Sequence, residues 1–109
     1  MKVKKENNIL SINGKKIQFD FMVEKVLEFS KCFVVLLMEE EIPDNNVEAF
    51  DYRGNKLWNI SQIVKLKYPE AYISLSKITE TQFSTITYNG VEFAIDIETK
   101  QVVSTTITK

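Results

Sequence analysis

No histidine occurs in this chain. That removes the commonest general base, the Ser-His and Cys-His nucleophile pairs, and the commonest transition-metal ligand. Cys32 is the sole cysteine, so no intramolecular disulfide forms and no structural zinc site of cysteine and histidine can be assembled. Glycine is scarce as well: of three residues, Gly14 and Gly90 each follow an asparagine in a turn, which leaves no glycine-rich phosphate loop. Neither sign of charge predominates, since 14 basic and 15 acidic side chains give a net charge of -1. Such a balance exerts no long-range pull toward nucleic acid or an anionic membrane. The longest apolar run, residues 33–38, falls far short of the ~20 residues a membrane helix needs. The basic start, Lys2, Lys4 and Lys5, leads into Glu6, Asn7 and Asn8 instead of the apolar stretch of a secretory signal. These absences predict a cytoplasmic, non-enzymatic protein with no catalytic residues, no cofactor and no metal, and with neither nucleic acid nor membrane as partner. The three N-terminal lysines are expected to form a frayed, solvated tail.

What is present is a globular balance, 44% hydrophobic and 27% charged over 109 residues. A chain of this size forms one domain and buries roughly two thirds of its unfolded surface. β-branched and aromatic residues dominate, and apolar side chains recur at every second position. Ile17, Phe19 and Phe21 alternate with Gln18 and Asp20, and Val91, Phe93, Ile95 and Ile97 alternate with Glu92, Ala94 and Asp96. The expected fold is all-β, mainly an antiparallel meander of about eight or nine strands. It spans residues 1–109 as a single domain of two blade-like halves, about 8–60 and 61–109, arranged as a sandwich or small barrel.

Asn13-Gly14 and Asn89-Gly90 both suit type I′ turns, whose central residues need positive φ. They predict hairpins joining 9–12 to 17–22 and 83–88 to 91–97. The loop around Gly54 predicts a third, from 47–52 to 57–60. Phe33, Val34, Val35, Leu36, Leu37 and Met38 do not alternate, so this strand is placed centrally, covered on both faces. Pro43 and the neighbouring Asp and Asn residues break it into an acidic loop. Residues 22–29 read as an irregular strand, and 61–67 as a crossing loop with one helical turn.

Ala49-Phe50-Asp51, followed by Gly54 and then Leu57-Trp58, has a counterpart in Ala94-Ile95-Asp96, followed by Thr99 and then Val102-Val103. The first copy resembles the blade motif of quinoprotein-type (PQQ-like) β-propeller repeats, in which a strand ending Ala-aromatic-Asp turns at Gly into Leu-Trp. The second copy has Thr99 in place of the Gly and Val103 in place of the Trp. The resemblance implies four-stranded, blade-like units. Closure of a propeller takes roughly four or more blades, and this chain has length for two, so no closed propeller and no family cofactor follow. Asp51 and Asp96 are expected to orient the turn backbone through side-chain hydrogen bonds.

Candidate contact residues are few. Glu39, Glu40, Glu41 and Asp44 lack the spaced Asp, Asn and Gly of a calcium loop and read as a solvated loop that discourages edge pairing. Phe50 and Trp58 read as core, whereas Tyr68, beside Pro69, reads as an exposed contact. Cys32 reads as a small buried hydrophobe. A small, histidine-free β protein with an acidic loop is similar to bacterial immunity or inhibitor proteins, which act by occupying another protein. That likeness implies a protein-binding module that meets a basic partner through Glu39, Glu40, Glu41, Asp44 and Tyr68. The alternative is a β-barrel or sandwich that binds a small ligand, sequestered in its interior or at a dimer interface. Phe19, Phe21, Ile73, Leu75, Phe93 and Ile95 predict an apolar filled centre, which weighs against it. Under either reading the unpaired sheet edges predict a homodimer.

Overall fold

The computed structural model describes residues 3–107, and its strands are all antiparallel. Eleven strands form three open sheets in chain order. β1 (Val3–Glu6), β2 (Ile9–Ile12) and β3 (Lys15–Gln18) make a three-stranded sheet. β4 (Met22–Glu28), β5 (Cys32–Met38), β6 (Val47–Asp51) and β7 (Lys56–Asn59) make the second. The third consists of β8 (Tyr72–Lys77), β9 (Gln82–Thr87), β10 (Val91–Asp96) and β11 (Gln101–Ile107). Within each sheet, every strand pairs with its neighbour in sequence, as a meander requires. Among the described residues no sheet closes on itself, so the barrel form of the expectation is replaced by stacked open sheets.

The strand number exceeds expectation partly because Lys4 and Lys5 are no frayed tail. Lys4 and Lys5 lie in β1, opposite Ser11 and Leu10, with their side chains in solvent while Val3 is buried. Lys2 lies outside the described residues.

The β4–β7 sheet sits in the middle, and β5 explains why. Phe33, Val35 and Leu37 pack with Val3, Leu10, Ile12, Phe19 and Phe50 beneath the three-stranded sheet. The intervening Cys32, Val34 and Leu36 pack on the opposite face with Trp58, Tyr72, Leu75, Phe83 and Ile95. Adjacent residues of a strand point to opposite faces, so a strand apolar at every position requires a cover on each side. Aromatic pairs bind the layers. Trp58 of β7 stacks on Phe83 of β9 at 6.0 Å between ring centroids, and Phe50 meets Phe19 edge-on at 5.5 Å.

The turns follow sequence chemistry with one departure. Asn13 and Gly14 both have positive φ (48° and 81°), as a type I′ turn demands. At Asn89-Gly90 only the glycine is left-handed, and its N–H bonds back to the Thr87 carbonyl at 2.9 Å. This hairpin therefore uses a longer loop ending in a left-handed glycine, which leaves Tyr88 exposed at its tip. Alternation through Phe19 and Phe21 also overstates β3, which stops at Gln18. Asn8 and Phe19 exchange bonds there: the Phe19 N–H donates to the Asn8 carbonyl and the Asn8 amide to the Phe19 carbonyl, turning the chain toward the middle sheet. Ile73, expected in the centre, is 42% exposed because a bulge between Tyr72 and Ser74 turns it outward. Residues 22–28 form an irregular strand, bulged between Val23 and Lys25, and Ile60–Gln62 is one 3-10 turn in the crossing connection.

The two similar segments hold equivalent places. Ala49 and Asp51 lie in β6, and Ala94 and Asp96 in β10, each the third strand of its four-stranded sheet. Asp51 accepts from the Arg53 and Asn55 N–H groups, and Asp96 from those of Glu98 and Thr99. Both carboxyls are held below the usual carboxylate range, chiefly by the bonds from Asn55 and Thr99 respectively. Their role in the turns is as expected.

Candidate functional site

Three connections converge at one end of the molecule: residues 39–46 between β5 and β6, residues 69–71 before β8, and residues 88–90 between β9 and β10. Hairpin turns alternate between the two ends of a meander, which brings these three to the same end. Backbone bonds join them, from the Asn45 N–H to the Glu70 carbonyl and from the Tyr88 N–H to the Ala71 carbonyl, both 2.9 Å.

Asn46 is the clasp. Its side chain is 2% exposed; it donates to the Leu37 and Tyr72 carbonyls (2.7 and 2.8 Å) and accepts from the Tyr72 N–H (2.7 Å). The middle sheet is thereby tied to the β8 edge of the next, and the acidic loop starts from a rigid bed. Asn45 beside it takes the left-handed conformation (φ 52°), which asparagine tolerates better than most residues.

Glu40, Ile42 and Asp44 line an open cleft of about 380 Å³ with Pro69, Glu70 and Tyr88. Asn89 reaches over to the Glu70 carboxylate at 2.9 Å. On the other side of the loop, Asp44 and Asn46 share a second cleft of about 440 Å³ with Phe19, Asp20, Phe21 and Glu48. Of the expected contact residues, Glu40 and Asp44 therefore meet in the first cleft. Glu39 and Glu41 are exposed on the same loop without lining it. Tyr68 stands one residue from Pro69, 70% exposed, with the Lys67 ammonium 5.6 Å from its ring. Among the described residues, no three carboxylates are close enough together to hold a metal ion.

Sequence reasoning missed Tyr88 and Glu70. Tyr88 is as exposed as Tyr68 and is the aromatic that lines the acidic cleft. Its signal was available, because Phe83, Thr85 and Thr87 point inward, leaving Ile86 and Tyr88 on the outer face. Asn46 left no local signal, since its partner lies 26 residues away.

Charge is distributed unevenly between the ends. The three clustered loops carry Glu39, Glu40, Glu41, Asp44 and Glu70 and no basic residue, with Asp20, Lys65 and Lys67 in neighbouring connections. The far end is more balanced: Lys31, Arg53 and Lys100 in its turns and Lys15 and Lys16 at the start of β3 stand against Asp51, Glu80, Asp96 and Glu98, and the Lys15 ammonium reaches the Arg53 carbonyl at 3.2 Å. A net charge near zero conceals this acidic end. Cys32 is buried, and burial pushes its thiol up, so the neighbouring Lys31 does not activate it.

Among the described residues, no helix is long and apolar enough to cross a membrane. No curated protein matches the chain. Residues 1–107 match the model of a domain of unknown function, DUF7957, and the chain belongs to that family.

Proposed function

We propose that this protein is a non-enzymatic binding module, of the immunity or inhibitor kind, that occupies a basic surface of a partner protein with its acidic end. The observation that carries the reading is the convergence of Glu40, Asp44 and Glu70 on a cleft beside the exposed Tyr88, on backbone anchored by Asn46. Exposed carboxylates steer an oppositely charged partner and speed encounter. Tyrosine supplies contact area at low entropic cost and is enriched among binding hot spots. The rigid bed lowers the cost of ordering the loop on binding.

Tagged protein would be recovered from its native cells alongside a variant carrying Glu39→Gln, Glu40→Gln, Glu41→Gln and Asp44→Asn. A stoichiometric basic partner is expected with the parent chain, and its association rate should fall tenfold or more, roughly, between low and high salt. Tyr88→Ala should weaken the complex mainly through faster dissociation, by about 1–2 kcal/mol. Absence of any stoichiometric partner, or full binding by the four-site variant, would remove this reading.

A second reading rests on the larger cleft, whose 440 Å³ lies within the range of small-ligand sites. Phe19, Phe21 and Phe50 supply its apolar wall and Gln18, Asn45 and Asn59 its polar one. Native mass spectrometry of protein from its own source separates the two: a co-purifying small mass favours the ligand, and a bare chain favours the protein partner.

A further inference from the structure

We infer that two copies of this chain pair through β11, antiparallel across a two-fold axis centred on Thr105, to make one continuous eight-stranded sheet.

β11 is the outer strand of its sheet, and all seven of its residues are exposed. Its inward-facing side is more apolar than a solvated face requires. Thr105 pairs with Phe93 and Ile107 with Val91 across the ladder, so both share the face of the buried Phe93. Val103 (53% exposed) and Ile107 (70%) nevertheless remain in water, because the strand extends beyond the middle sheet that covers its neighbours.

The other sheet edges carry devices that discourage pairing. β1 and β3 are four residues long with Lys4, Lys5, Lys15 and Lys16. β4 is bulged and carries Glu24, Lys25 and Glu28; β7 is four residues long and begins at Lys56; β8 is bulged and ends at Lys77. β11 contains no charged residue and no proline. A bulge leaves Val103 unmatched against β10, after which 104–107 run regularly.

Together with Val103, that run is complementary to itself. An axis through Thr105 sets Thr105 against Thr105, Ser104 against Thr106, and Val103 against Ile107. Hydroxyl residues then face hydroxyl residues and apolar ones face apolar ones, pairings that stabilise antiparallel ladders, with no like charges opposed. A two-fold contact of this kind closes on itself and does not propagate. The strand is about 23 Å long at ~3.3 Å per residue. A strip that narrow falls among the smaller specific interfaces, below about 1,200 Å² in total, so the dimer is weak and concentration-dependent.

Sedimentation velocity from about 1 μM to about 1 mM reads the association directly. The parent chain should pass from monomer to dimer over this range. Thr105→Lys alone and Thr105→Glu alone should remain monomeric, because each opposes a charge to itself, and their equimolar mixture should dimerise. Hydrogen exchange on the unaltered chain gives a check that needs no variant: amides of residues 103–107 should gain protection as concentration rises. A parent chain that stays monomeric to the top of the range overturns the inference. So do undiminished dimerisation of Thr105→Lys, failure of the mixture to dimerise, exchange independent of concentration, or growth into open-ended oligomers.

Discussion

Tyr72 has a hydroxyl enclosed between the sheets with no hydrogen-bond partner among the described residues. An unsatisfied buried polar group costs on the order of 1–3 kcal/mol, whereas an apolar replacement of the same shape removes that cost. Tyr72→Phe is therefore expected to stabilise the fold by up to about 1 kcal/mol in urea unfolding at neutral pH. The same burial, with Glu70 nearby, pushes Tyr72 up to about 12. Tyr52, whose hydroxyl donates to the Phe29 and Cys32 carbonyls, is pushed to about 12 by burial, with Glu28 and Cys32 adding. An unfolded tyrosine loses its proton near pH 10, while these two in the fold keep theirs to about 12. Above pH 10 the unfolded chain binds fewer protons, so stability should fall as pH rises through 10 toward 12. Tyr72→Phe should flatten that fall, and an unchanged alkaline slope would contradict the assignment. At this scale the turn aspartates and the buried cysteine were legible, because their partners are local or generic. The Asn46 clasp was not, since a loop asparagine looks the same whether it faces water or a strand 26 residues away.

Among the elements β5 was the most legible, for the physical reason that six apolar residues in succession cannot leave one side of a strand to water. Val34 and Val35 point to different layers, and both are fully buried. Val34→Ala and Val35→Ala should each cost about 2 kcal/mol, from lost burial plus the cavity left behind. Chemical denaturation of the two variants tests the double cover: a strand with one wet face would show one costly substitution and one silent one. Other elements misled where tertiary contacts overrule alternation. The bond exchange between Asn8 and Phe19 ends β3 early, and the bulge at β8 turns Ile73 outward. Val3 made the N-terminus a strand although the lysines around it suggested a tail, because one well-placed apolar residue is enough to seat β1 over the core.

For the molecule as a whole, the all-β meander was readable from periodicity and turn residues, whereas its layering was only half so. Non-alternation in β5 demanded two covers without saying which strands supply them. The acidic end was visible as a loop composition, yet its contrast with the more balanced far end emerges only when the turns are sorted to opposite ends. Among the described residues no strand pairing crosses the connection between β7 and β8, and Lys67, Tyr68 and Pro69 lie exposed within it. Severing the backbone between Lys67 and Tyr68 thus breaks no ladder. Fragments 1–67 and 68–109, mixed after separate expression, are expected to reassociate into a folded complex held by the Trp58–Phe83 stack and the Asn46 clasp. Recovery of the native far-ultraviolet spectrum on mixing would demonstrate it, and two inert fragments would refute it. That peptide bond would then serve as a tether, raising the effective concentration of one half near the other, while recognition between the halves is carried wholly by their facing surfaces.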